Sequence, residues 1–206
     1  MFWEIWNARN RWIFKGVPPQ HSKITGNIAL WINDRPCIPP AIKDLSKRIW
    51  PDHIELPTLY FDGANKDGLC GCGAWIKLEN KDRYHMFWNG GVGSNNKTEM
   101  MELWSGILTA YNLNLPSIHI YGDSKYTIDG ISGRCRMQCS NSIGWVQWIK
   151  YLLGKFQAYT IQHIHMEKNI CADLLSKRGL ESTYDAIQIM HYRASTLLDS
   201  QSFPLP

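Results

Sequence analysis

The apolar positions fall into two periods along the chain, and the change from one to the other marks the elements. Thr58 to Asp62 (TLYFD) is a short strand, closed by Asp62-Gly63. Residues 70–78 (CGCGAWIKL) form a second strand, whose small residues permit close backbone approach. Residues 82–90 (DRYHMFWNG) form a third, with Asn80-Lys81-Asp82 as the turn between the two. From Lys97 to Leu113 the spacing becomes helical: Met100, Met101, Leu103, Trp104, Ile107, Leu108 and Tyr111 recur at three and four. Ser117 to Tyr121 alternates as a strand and ends in Gly122-Asp123. Helices are predicted over Ser124–Ile131 and Ser142–Lys155, a fifth strand over Ala158–His165, and a last helix over Asn169–Arg178, stopped by Gly179.

The order β-β-β-α-β-α-α-β-α predicts an α/β fold. Three strands joined by short turns make an antiparallel meander, and strands separated by helices pair in parallel. The expectation is a mixed five-stranded sheet with helices on its faces, spanning residues 57–180. Before it, residues 1–15 read as an amphipathic helix rich in Trp and Phe, stopped by Gly16, Pro18 and Pro19. Residues 16–56 read as a Pro-containing linker with one short helix near Ile42–Trp50. Residues 181–206 read as a tail with one helix around Asp185–Leu198.

Composition narrows the class. With 44% hydrophobic and 19% charged residues over 206 positions, the chain suits a folded core, with one domain plus appendages. The net charge of +4 permits a polyanionic partner without demanding one. No stretch reaches the ~20 apolar residues of a membrane span. The start, MFWEIWNARNRW, has charges scattered through it and lacks the uninterrupted apolar core of a signal peptide. These features lead to an expectation of intracellular residence, nuclear or cytosolic, with free thiols. Cys70-x-Cys72 and Cys135-x-x-x-Cys139 do not match the spacing of a standard zinc site.

The acids carry the candidate chemistry. Asp62 and Asp123 end the first and fourth strands. If those strands are neighbours, both carboxylates share one edge of the sheet, where open α/β sheets place their sites. Glu99 falls in the first turn of the first helix and Asp173 in the first or second turn of the last. Taken singly, each is equally a turn former or helix cap, and Asp67-Gly68 and Asp129-Gly130 look the same. Converging, the four would repel unless cations bound between them. An all-oxygen set suits Mg²⁺ or Mn²⁺ rather than Zn²⁺.

Four segments, in order, carry a resemblance. Tyr60-Phe61-Asp62-Gly63-Ala64, Ser94-Asn95-Asn96-Lys97-Thr98-Glu99, Gly122-Asp123-Ser124 and the run His163 to Asp173 (HIHMEKNICAD) resemble the successive motifs of type 1 ribonuclease H. More closely they resemble the retrotransposon-derived ribonuclease H domains common in plant genomes. The start WEIWNARN is similar to the segment that precedes such domains. The resemblance implies the ribonuclease H-like fold and cleavage of the RNA strand of RNA–DNA hybrids with two Mg²⁺ (or Mn²⁺) ions by a monomer. It implies Asp62, Glu99, Asp123 and Asp173 as metal ligands, and His163 as a mobile proton carrier or product-release residue. It further implies Asn95 and Asn96 as minor-groove contacts, and Asn169 as a residue beside the active site that helps bind substrate. Asn95 and Asn96 also fit plain helix-cap chemistry, and His163 a structural role in its strand. The chain departs from the family pattern in three places. Asn65-Lys66-Asp67-Gly68 lacks a Pro-Gly, Lys125 stands where a neutral polar residue is common, and Gly133–Trp145 holds only Arg134 and Arg136 where some relatives carry a dense basic protrusion. The alternative expectation is a nucleic-acid-binding module of retroelement origin with little or no turnover.

Overall fold

The computed structural model describes residues 56–137, 140–182 and 186–204. The helices expected over 1–15 and near 42–50 lie outside these residues. Seven strands and four helices follow in chain order: β1 (Thr58–Lys66), β2 (Leu69–Lys77), β3 (Asp82–Val92), α1 (Asn95–Asn112), β4 (Ser117–Gly122), α2 (Lys125–Ile131), α3 (Ser140–Leu153), β5 (Ala158–His163), α4 (Ile170–Glu181), β6 (Ala186–Arg193) and β7 (Thr196–Pro204). They build one sheet in the order β5-β4-β1-β2-β3-β6-β7. The meander β1-β2-β3 is antiparallel, and β4 and β5 run parallel to β1, as expected.

Three expectations need correction. The first strand does not close at Asp62-Gly63: its pairing with β2 continues to Lys66 opposite Leu69, so Asp62 lies in mid-strand and only the pairing with β4 ends before it. The sheet has seven strands among the described residues rather than five, and the helix expected around Asp185–Leu198 is the hairpin β6–β7, paired antiparallel onto β3. The physical reason is a period of two. Ile187 and Ile189 share one face of β6 and pack with Cys72, Trp88, Met101 and Trp145, burying apolar surface that a helix could not bring to the edge of β3. Asp82 locks this hairpin from the other end. Its carboxylate accepts from Arg193 Nε (2.8 Å) and Nη2 (3.2 Å) and from Asn80 Nδ2 (2.9 Å).

The turn between β1 and β2 is Asp67-Gly68. Both residues have positive φ (53° and 81°), and Lys66 pairs with Leu69, the signature of a two-residue hairpin turn. This Asp-Gly is therefore turn chemistry. Asp129 sits instead inside α2, where it pairs with Lys125 (2.8 Å) and Arg134 (3.2 Å).

Successive strand residues face opposite sides, so the register decides which helix each one meets. Leu59 and Gly63 of β1 face α1; Asp62, with its cross-strand partner Gly73, faces α4. A Cβ on Gly73 would lie 2.0 Å from Ser176 N, and one on Gly71 2.2 Å from Ser176 O. The bare glycines of β2 let α4 lie with its backbone directly on the sheet. That contact carries the beginning of α4 to Asp62 in the middle of β1, where the pairing with β4 ends.

Candidate metal centre

Pairing between β1 and β4 stops at Phe61 and Gly122. The next residue on each parallel strand is an aspartate: Asp62 on one, Asp123 on the other. Glu99 arrives from the opposite face. Ser94 caps α1 by accepting the Lys97 N–H, and the first turn of that helix rests on Gly63, where a Cβ would meet Glu99 N at 2.7 Å. As a result one carboxylate oxygen from each of Asp62, Glu99 and Asp123 lies within 4.8 Å of the others.

Three acids this close cannot all ionise comfortably without a cation. Asp62, 8% exposed, is pushed up to about 6, first by burial, then by the charge of Asp123, with a smaller contribution from Asp173. Ser176 and the Gly63 backbone oppose that shift. Burial, followed by Asp62 and Asp123, raises Glu99 well above the usual carboxylate range. Its Oε2 is buried and has no hydrogen-bond partner among the described residues. A buried oxygen acceptor left open beside two further carboxylates fits a hard divalent cation.

Asp173, the fourth expected acid, stands in the first turn of α4 but outside this group of three. Its Oδ2 is held by Lys177 Nζ at 2.7 Å, one turn along the same helix. It remains near enough for its charge to raise Asp62.

The remaining expected residues take distinct places. His163 pairs in register with Gly122, next to Asp123. It is exposed, and its Nε2 lies 3.1 Å from the Asp123 carbonyl oxygen, so this nitrogen is the donor. Asn169 is 1% exposed. Its Nδ2 donates to Phe61 O (2.9 Å) and Asp123 Oδ1 (3.2 Å), which ties the chain entering α4 to both aspartate-bearing strands. Asn95 and Asn96 are exposed at the start of α1, and the cap itself is Ser94.

Sequence reasoning missed Ser176. Its Oγ donates to Asp62 Oδ2 at 3.0 Å. The signal was present: Ser176 follows Asn169 by seven residues and Asp173 by three, the spacing of one helix face. It missed Lys177 for the same reason, although Asp173 and Lys177 are four apart.

Around this centre the chain is similar to known proteins. A family model described as reverse transcriptase-like matches residues 60–179. A search of curated proteins found no match. Among solved structures, RNase H1 from the halophilic archaeon Halobacterium salinarum NRC-1 aligns with a TM-score of 0.57 and 20% identity, over 62% of this chain and 98% of that one. The N-terminal RNase H domain of Rv2228c from Mycobacterium tuberculosis aligns with a TM-score of 0.57 and 20% identity, over 61% and 93%. LC11-RNase H1, solved in complex with an RNA/DNA hybrid, aligns with a TM-score of 0.56 and 19% identity, over 61% and 96%. At such identities the likeness is one of fold: the α/β ribonuclease H-like architecture. No described helix is long and apolar enough to cross a membrane.

Proposed function

The chain belongs to the reverse transcriptase-like family, and from that premise we propose that it is a divalent-metal-dependent endoribonuclease cleaving the RNA strand of RNA–DNA hybrids. The observation that carries this reading is the clustering of Asp62, Glu99 and Asp123, one carboxylate oxygen of each within 4.8 Å of the others, together with the open, buried Oε2 of Glu99. The hybrid bound to LC11-RNase H1 supports the choice of substrate.

Asp62, Glu99 and Asp123, with Asp173 at the margin, would hold Mg²⁺ or Mn²⁺, two ions in this reading. Bound there, such ions polarise water for attack on a phosphodiester and stabilise the leaving 3′-oxygen. The protein's own part is placement. Ser176 fixes Asp62, and Asn169 fixes Asp123 while joining it to β1. His163 presents an exposed imidazole at the rim. With Nε2–H committed to the Asp123 carbonyl, Nδ1 is the nitrogen left to take a proton. Asn95 and Asn96, one turn before Glu99 and exposed, offer amides that both donate to base acceptors and accept from a 2′-hydroxyl.

One observation favours a second reading, a nucleic-acid-binding module with little turnover: Lys177 holds Oδ2 of Asp173, so a four-acid site has to use the other oxygen of Asp173 or open that ion pair. A labelled RNA–DNA hybrid incubated with the protein separates the two. Mg²⁺-dependent cleavage that falls ~100-fold or more in Asp62→Asn is expected for the enzyme. Hybrid binding that persists in EDTA, with no cleavage product under any divalent ion, selects the binding module.

A further inference from the structure

Glu102 follows Glu99 by three residues on α1, so the two sit on one side of the helix, a turn apart. Glu99 opens toward the acids at the sheet's end. Glu102 is sealed in the core with no exposed surface. Its Oε2 accepts a hydrogen bond from Trp88 Nε1 on β3 at 2.8 Å. Its Oε1 is buried and makes no hydrogen bond of good geometry among the described residues, although the Ser105 hydroxyl and the Cys72 thiol stand beside the carboxyl. Beside it on β2, the Cys72 thiol reaches the Thr98 carbonyl at 3.9 Å, in the turn that carries Glu99. The rest of this contact is apolar, with Met101 and Ile187 packed around Cys72 and Trp88.

Apolar packing alone tolerates small slides and rotations of a helix. A buried indole N–H and a buried carboxyl do not. One placement of α1 pairs them, and any other leaves both polar groups without water and without each other. Among the described residues no cation pairs with this carboxyl: the neighbouring charge acting on it is that of Asp62, and the Trp88, Ser105 and Cys72 side chains beside it are neutral. An ionised form there would add a further negative charge beneath three acids.

We propose that Glu102 is a positioning residue for Glu99: as the acceptor for the Trp88 indole it fixes α1 on β3, and so sets where the Glu99 carboxylate stands relative to Asp62 and Asp123. This rests on the reading of those three acids as metal ligands. Burial, only partly offset by Trp88, raises the Glu102 carboxyl to about 8, in keeping with the uncharged form at neutral pH.

The probe is Mn²⁺ alone, titrated at pH 7 into the full chain and followed by calorimetry, with circular dichroism to report folding. Glu102→Gln keeps a neutral acceptor in the same shape and is expected to bind Mn²⁺ within threefold of the parent. Trp88→Phe keeps the ring and deletes only the donor, and Glu102→Ala deletes the acceptor. Both are expected to bind at least tenfold more weakly while folded. If Glu102→Ala does not fold, Trp88→Phe carries the test. Parent-like affinity in Trp88→Phe overturns the inference and leaves the metal site intact. Loss in Glu102→Gln equal to that in Trp88→Phe overturns it too, because charge and not position would then be the contribution. A parent protein that binds no Mn²⁺ defeats the metal reading itself, and the positioning role falls with it.

Discussion

Ser176 Oγ lies 3.0 Å from Asp62 Oδ2, across 114 residues of chain, and 2.8 Å from the Asp173 carbonyl oxygen, so its single proton is shared between the two acceptors. One hydroxyl thus joins the middle of β1 to the first turn of α4. It is also the leading influence holding Asp62 down against burial and the charge of Asp123. Ser176→Ala should therefore raise Asp62 above about 6 and leave more of it protonated at neutral pH. The expected result is hybrid cleavage reduced ~10- to 100-fold at pH 7, the usual range for a residue that supports a metal ligand, with much of the loss recovered at pH 8.5. A pH–rate profile of the variant checks it. An unshifted acid limb would show that Ser176 does not act through Asp62.

The metal-free protein should be destabilised by alkali, and the sign follows from the direction of the shifts. An acid whose pKa is raised by folding favours the folded state while protonated. Its penalty begins above the unfolded value, 3.8 for Asp62, and is complete above the folded value of about 6. For Asp62 this is about 3 kcal/mol, before the contributions of Glu99 and Glu102, which are raised as well. A divalent cation favours the ionised acids and removes the penalty at the metal site. Thermal unfolding in EDTA should show a Tm falling from pH 5 to pH 8, and Mg²⁺ should raise Tm more at pH 8 than at pH 5. Equal Mg²⁺ effects at both pH values would contradict the clustered acids.

Much of this site was legible because period and order are local properties. The placement of Asp62 and Asp123 side by side follows from two short apolar runs and the rule that helix-separated strands pair in parallel, although β1 runs on past Asp62 to Lys66. The three-acid group needed nothing more than that and the helical spacing behind Glu99. Ser176 and Glu102 were illegible for a different reason. Each acts through a partner, 114 and 14 residues away respectively, chosen by how α4 and α1 lie on the sheet. The glycines of β2 signalled a close approach, but not which helix approached. The hairpin β6–β7 was lost to a short apolar run, AIQIM, that suits a helix and a strand equally until Ile187 meets Trp88 and Met101.

That hairpin is anchored at its turn end by Asp82, whose carboxylate is held down to about 2, first by its bond to Arg193. A lowered acid stabilises the fold above its unfolded value of 3.8 and loses that contribution as pH falls toward 2. Asp82→Asn should therefore lower the urea midpoint at pH 6 and leave it unchanged near pH 2. Truncation after Ser182 should be worse at every pH, because it strips Ile187 from Cys72, Trp88 and Met101. A truncated protein as stable as the parent would show that residues 183–206 are the independent tail their sequence first resembled.

The contact of α4 with β2 gives the sharpest structural test. A Cβ at Gly73 would stand 2.0 Å from Ser176 N, 2.4 Å from Leu175 C and 2.6 Å from Ser176 Cα, all backbone atoms with no rotamer to yield. Gly73→Ala must push the middle of α4 off the sheet. Because Ser176 and Asp173 ride on that helix, the site moves with it. The expected cost is about 3 kcal/mol or more in stability, with metal affinity lost in whatever fraction remains folded. Gly144 in α3 is the control, since nothing lies within 4 Å of its Cβ position. Gly144→Ala replaces a poor helix former by the best one and should stabilise by ~0.5–1 kcal/mol with metal binding unchanged. Denaturant unfolding of both variants beside the parent decides it. If Gly73→Ala proves as mild as Gly144→Ala, α4 does not lie on β2 as described, and the route by which Asp173 and Ser176 reach Asp62 would have to be abandoned.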